Sequence, residues 1–223
     1  MKAQNTISHT NEMQEFMYRL SEKERDIYQK IPKAVAYMPH PDFESPGAED
    51  RFFGSEATDI RLPEWTDFAS VEDAADRPVK KSKSRLKPGE EAELFLRYNY
   101  ARYRLSELVE SQQNKPTLAR ARKMCRWQKR VEQSQAAVTE ANLALVLAMA
   151  KRTRIPNVDF SELISEGNMA LLRSIDKFDV RRGFKFSTYA CRAILKAFNR
   201  LATKTGRYHQ RFPASFEPEM ERS

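Results

Sequence analysis

Residues 159–206 read DFSELISEGNMALLRSIDKFDVRRGFKFSTYACRAILKAFNRLATKTG, and the fold turns on them. Asp159 followed three positions later by Glu162 makes a capping box that opens a helix. One stripe of that helix, Phe160, Leu163, Ile164, Gly167, Leu171, Ile175 and Phe178, predicts a core face in which Gly167 permits close packing. A second stripe holds Glu162, Ser165, Glu166, Met169, Leu172 and Arg173, with Asn168 at its edge. Acidic and polar side chains that end in Met and Leu read as a protein-docking surface; the plainer alternative is a face that meets water.

Next, Phe178, Phe184, Phe186 and Tyr189 interleave with Lys177, Arg181, Arg182 and Lys185. Exposed rings give unpaired bases a stacking platform worth roughly 1–3 kcal/mol per base, while the cations hold phosphates. The alternative is that Phe178 and Phe186 anchor a turn, and it holds for at least one of them; Tyr189 and Phe184 are the rings expected to face a ligand. From Ser187 onward Arg192, Lys196, Arg200 and Lys204 recur every four residues, a spacing that repels by a few tenths of a kcal/mol per pair in water. A polyanion reverses that sign. Asn199 lies in the same strip and suits a base edge. Phe186, Ala190, Ala193, Ile194, Ala197 and Leu201 form the opposite, apolar face.

Working upstream, 141–150 (ANLALVLAMA) is apolar on nearly every side, the mark of a helix buried in a bundle, and Ile155-Pro156-Asn157 breaks it. In 90–113 (EEAELFLRYNYARYRLSELVESQQ) Leu94, Tyr98, Ala101, Leu105 and Leu108 make one amphipathic face. Pro116 restarts the chain into a basic helix with Arg120, Arg122, Lys123, Arg126, Lys129 and Arg130, whose charges point all round and read mainly as solvated. Residues 12–31 place Phe16, Leu20, Ile27 and Ile31 at helical spacing for one or two short helices. From Pro32 to Lys87 the pattern dissolves: Pro41, Pro46, Pro63, Pro78 and, just beyond, Pro88 interrupt it among scattered acids, which predicts an irregular, partly disordered arm with a basic hinge at Lys80, Lys81, Lys83, Arg85 and Lys87. The expected organisation is an acidic arm over 1–87, a helical domain over 88–212 and a tail over 213–223.

Charge follows the same division. Residues 1–80 carry 10 Lys/Arg against 16 Asp/Glu, whereas 119–211 carry 20 against 7, so an acidic front precedes a basic back with the footprint of a nucleic-acid binder. Cys125 and Cys191 stand sixty-six residues apart outside any CxxC or Cys/His cluster, which argues against a disulfide framework or a zinc site. No apolar run approaches eighteen residues and the first thirty are charged throughout, so neither a membrane span nor a signal peptide is expected, and a cytoplasmic setting fits. His9, His40 and His209 are far apart and no glycine-rich phosphate loop exists among six glycines, so no catalytic residue, metal or cofactor is expected and an enzyme is a remote reading.

EANLALVLAMAKR, DFSELISEGNMALLRSIDKFD and RRGFKFSTYACRAILKAFNR resemble region two of the bacterial sigma-70 family, the promoter-recognising subunits of RNA polymerase. The likeness is close over 140–200, and LKPGEEAELFLRYNYARYRL is a weaker echo of the helical segment that precedes region two. It implies an all-α helical bundle of region-two type with the irregular acidic arm in front. It implies that Glu162, Ser165, Glu166, Asn168 and Leu172 dock on the clamp helices of the polymerase largest subunit. By the same resemblance Phe178, Asp179, Arg182, Phe184, Lys185, Phe186, Thr188 and Tyr189 open the minus-ten element and capture its flipped adenine on the single-stranded non-template strand. Lys196, Asn199 and Arg200 read the upstream end of that element, with Arg192 and Lys204 completing the cationic strip. The polymerase supplies the chemistry, and the factor's binding energy offsets unstacking. An anti-sigma factor is a further candidate partner.

The chain departs from the family pattern in three places. Arg192 and Ala193 stand where primary members carry a tandem tryptophan pair, and Lys196 and Asn199 replace the common glutamine and threonine, which changes the expected minus-ten preference. The 23 residues after Arg200 are too few for the family's helix-turn-helix, so the reading is initiation without that contact, help from a separate chain, or a truncated product. The acidic arm is expected to cover the basic domain until polymerase binds. Three functions therefore stay open: an initiation factor, a regulator or decoy that occupies the clamp helices without opening DNA, and a general single-strand binder.

Overall fold

The computed structural model describes residues 17–62, 86–153, 155, 156 and 158–211. Among them the regular structure is helical throughout, with no strand. The elements are α1 (Glu22–Lys30), a 3-10 turn (Pro41–Phe43), α2 (Ala48–Phe53), α3 (Pro88–Asn114), α4 (Leu118–Glu140), α5 (Leu143–Arg152), α6 (Phe160–Lys177), a second 3-10 turn (Val180–Arg182) and α7 (Phe186–Arg211). They fall into two compact units. The first takes the described residues up to 141 together with 177–183; the second takes 142–176 and those from 184 onward.

The first unit is built on an α3–α4 helical hairpin. Pro116 cannot continue a helix, and Thr117 caps α4 by accepting the Arg120 N–H at 3.3 Å. Buried Gln112 closes the corner, accepting the Thr117 N–H at 3.1 Å and donating to its carbonyl at 3.3 Å. Leu94, Tyr98, Ala101 and Leu105 are buried as their spacing predicts, with Leu108 half-buried. Phe95, Asn99, Tyr100 and Val109 are buried as well, so α3 is covered over a wider arc than one amphipathic face.

The described part of the arm supplies the cover. Phe43, Ala48 and Phe52 join Tyr100, Ala101, Leu105, Val109, Met124 and Trp127 in one core. The Phe43 and Phe52 rings sit 5.5 and 4.9 Å from the Tyr100 ring, and the Met38 N–H donates to Asn99 Oδ1 at 2.9 Å. Residues 32–53, within the stretch expected to be irregular and partly disordered, thus pack as a strap: aromatic burial of this size outweighs the ordering entropy that the prolines reduce from the start. Ser21 and Glu24 form the capping box of α1. The expected hinge at Lys80, Lys81, Lys83 and Arg85, the tail over 213–223, Phe16 and Asn157 lie outside the described residues, and Lys87 is the N-cap of α3.

The second unit packs α5, α6 and α7 around Gly167. A Cβ placed there would lie 2.6 Å from Val146 Cγ1 and 3.2 Å from Phe198 Cε1, so the bare backbone lets α6 meet both neighbours, as the sequence suggests. Leu163, Ala170, Leu171, Ile175, Phe186, Ala190, Ile194, Ala197, Phe198 and Leu201 are buried. Two expectations need correction. Within α5 only Val146 and Ala150 are fully buried and Ala148 is exposed, because a ten-residue helix on the rim of a small unit has one covered side. Phe160 is 39% exposed, because it opens the first turn of α6.

Candidate nucleic-acid interface

At the mouth of α6 the Asp159 carboxylate accepts the Ser161 hydroxyl at 2.7 Å, and its carbonyl takes the Leu163 N–H at 3.1 Å. The Ser161 bond holds the Asp159 carboxyl below its ordinary range. Glu162, the residue expected to complete the box, instead lines a groove of about 1180 Å³ with Arg192, Leu195, Lys196, Asn199, Arg200, Thr203, Lys204, Thr205 and Arg207 of α7. It is exposed beside those cations, on the same α6 face as Ser165 and Glu166, which follow one turn later. The rest of that stripe is open: Ser165 is exposed, Glu166, Asn168 and Leu172 are half-buried, and Met169 is 51% exposed among them. Glu166 is held at 3.2 Å by Arg173, two turns on.

The segment that follows divides between the units. Asp179 caps the turn Val180–Arg182: its Oδ1 accepts the Arg181 N–H and the Arg181 Nε, both at 3.0 Å, and its Oδ2 takes Nη2 at 3.1 Å. The Arg181 bonds keep the Asp179 carboxyl below its usual range, and Arg182 stands 3.9 Å away. Gly183 ends the turn at φ 69°, a left-handed conformation that a side chain would strain. Phe178 is 6% exposed and packs on Phe95 with centroids 4.8 Å apart. In the second unit Phe186 is fully buried. Both rings are buried, as the turn-anchoring alternative expects, each following the apolar spacing beside it. Asp179 likewise serves the turn, with both oxygens engaged.

Phe184 and Tyr189 remain open, at 72% and 40% exposure, and Lys185 and Thr188 are exposed with them. Beyond them Arg192, Lys196, Asn199, Arg200 and Lys204 are all exposed on α7. A four-residue step on a 3.6-residue helix advances by about 40°, so the ladder winds across the surface instead of running straight. All four ladder cations line the groove, with Asn199, Thr203 and Arg207 beside them. Sequence reading missed Arg207 and Leu195, the latter 40% exposed; extending the Asn199 row by four and eight residues reaches Thr203 and Arg207.

Residues 138–208 match the family model described as Sigma-70 region 2. This segment belongs to the sigma-70 region 2 family. Over 63 residues, 28% of the chain, region 2 here is 51% identical to the RNA polymerase sigma factor SigA of Lactococcus lactis subsp. cremoris, covering 17% of that protein. It is equally identical, over 16% of its length, to the SigA of Lactococcus lactis subsp. lactis strain IL1403. The chain thus spans about a sixth of the length of the curated relatives it matches. Among the described residues no helix is long and apolar enough to cross a membrane, and no group of three or more His, Cys, Asp and Glu could hold a metal.

Proposed function

We propose that this chain acts in transcription initiation, its region 2 binding core RNA polymerase and holding the melted minus-ten element of a promoter. The observation that carries the reading is the pair of exposed rings, Phe184 and Tyr189, leading into a helix whose outward side is cationic. Two rings stacking on unpaired bases supply about 1–3 kcal/mol per base, the order needed to offset extrusion of a base from the duplex. Lys185, Thr188 and Arg182 meet the non-template backbone, while Arg192, Lys196, Asn199, Arg200 and Lys204 follow the upstream duplex. Ser165, Glu166, Asn168 and Leu172 with Met169 present an acidic-apolar face to the clamp helices of the largest polymerase subunit. Glu162, one turn before Ser165 and Glu166 on α6, extends that face.

Run-off transcription with core polymerase from the same organism, comparing wild type with Tyr189→Ala on a genomic promoter library, tests the proposal. Specific transcripts that vanish with Tyr189→Ala support it. A second reading, a regulator that occupies polymerase without opening DNA, draws on Arg192 and Ala193 at the place of the tryptophan pair. It predicts polymerase binding with no promoter-dependent permanganate reactivity of thymines.

A further inference from the structure

The basic helix α4 lies in the first unit, and packing sorts its cations into two sets. Arg120 turns back to donate to the Ser111 carbonyl at 3.1 Å. Arg130 pairs with Glu49 at 2.9 Å and lies over the Trp127 and Phe53 rings at 4.5 and 5.0 Å. Arg122, Lys123, Arg126 and Lys129 stay exposed, opposite the buried Ala121, Met124 and Trp127. At 100° per residue these four occupy about a third of the helix circumference and about 10 Å of its length. They are spaced three and four apart, where like charges repel by a few tenths of a kcal/mol per pair. Among the described residues' ion pairs, Glu24 lies 3.8 Å from Arg122 and is already bonded to Ser21 in the α1 capping box; Arg122 also donates to the Arg19 carbonyl at 3.4 Å.

We propose that this face of α4 is a second nucleic-acid contact, taking the phosphate backbone of duplex DNA. Charge complementarity identifies the ligand class: four outward cations against a polymer that carries one charge per about 1.7 Å of axis. The chemistry favours duplex over single strand, because the ring on α4, Trp127, is turned into the core and leaves no stacking platform on the helix. Backbone contacts of this kind position a protein without reading sequence. The contact is independent of the rings at Phe184 and Tyr189.

The test measures binding of the full chain to a 30-base-pair duplex lacking any promoter element, as log Kobs against log salt. The triple variant Lys123→Ala, Arg126→Ala, Lys129→Ala should lower the slope by about 3, at roughly 0.9 per lost phosphate contact. A control that removes the same charge from Lys30, Lys33 and Arg61, exposed elsewhere in the first unit, should leave the slope unchanged. Affinity of the triple variant for a single-stranded minus-ten oligonucleotide should stay at the wild-type value. An unchanged slope in the α4 variant, or an equal fall in the control, overturns the proposal. Loss of single-strand binding with Tyr189→Ala concerns the promoter-opening reading alone.

Discussion

Phe95 of α3 and Phe178 at the end of α6 hold their ring centroids 4.8 Å apart with planes inclined at 55°, both inside the first unit. The turn that precedes Phe184 is therefore fixed by aromatic packing, and the Asp179–Arg181 bonds complete it. Phe178→Ala should cost about 3–5 kcal/mol in denaturant unfolding, the range for truncating a buried Phe. Phe184→Ala, at a ring 72% exposed, should stay within about 0.5 kcal/mol of wild type. The exposed ring's variant should instead weaken single-stranded minus-ten binding by about 1–3 kcal/mol. The reverse pattern would mean that the buried ring reads DNA.

Gly167→Ala sets two effects against each other. Alanine gains about 1 kcal/mol of helix propensity. Its Cβ would stand 2.6 Å from Val146 Cγ1, and overpacking a tight core costs about 1–3 kcal/mol. The steric effect should win, with a loss of about 1 kcal/mol and a lower Tm by calorimetry. A raised Tm would show that α5 yields at Val146.

The strap of residues 32–53 is held by rings more than by charge. Phe52→Ala should cost about 3–5 kcal/mol and open the strap to trypsin at Arg51. Glu49→Gln removes the pairs to Arg130 and Arg104 yet should change stability by no more than about 1 kcal/mol, because its side chain is 49% exposed. Equal effects in the two variants would assign the strap to electrostatics. Deleting it to test whether the arm shields DNA-binding surfaces would also remove core, so neutralising its acids is the cleaner comparison.

Tyr103 donates its hydroxyl to Glu107 at 2.9 Å, and burial, reinforced by that carboxylate, pushes the phenol up to about 12. A folded-state value above the unfolded one near 10 stabilises the fold fully below pH 10 and loses that contribution as pH rises towards 12. Wild type should therefore lose stability relative to Tyr103→Phe across that window, followed by urea midpoints. A constant difference between the two would place the phenol in water.

How much was legible in the sequence follows the range of the interaction. Leu163, Gly167, Leu171 and Ile175 on α6, and Phe186, Ala190, Ile194 and Ala197 on α7, declared their faces by helical spacing, and that spacing reports burial directly. Phe184, Tyr189 and the α7 cations were likewise readable as a local cluster. The order of acidic-polar stripe, aromatic turn and cation ladder was thus determined by the chain alone.

Tertiary structure decided what spacing cannot carry. Phe43 and Phe52 sit among prolines and acids with no period, and their burial depends on Tyr100 and Trp127, about fifty to eighty residues away. Phe178 ends an apolar stripe and opens an aromatic-basic cluster; only the presence of Phe95 beside it chose the core. On α4 the sequence shows six similar cations, and packing against Glu49, Trp127 and the Ser111 carbonyl separated the inward pair from the outward four. Local pattern fixes which side chains share a face, but desolvation is a property of what the fold brings against that face, and a single chain segment cannot encode its distant partner.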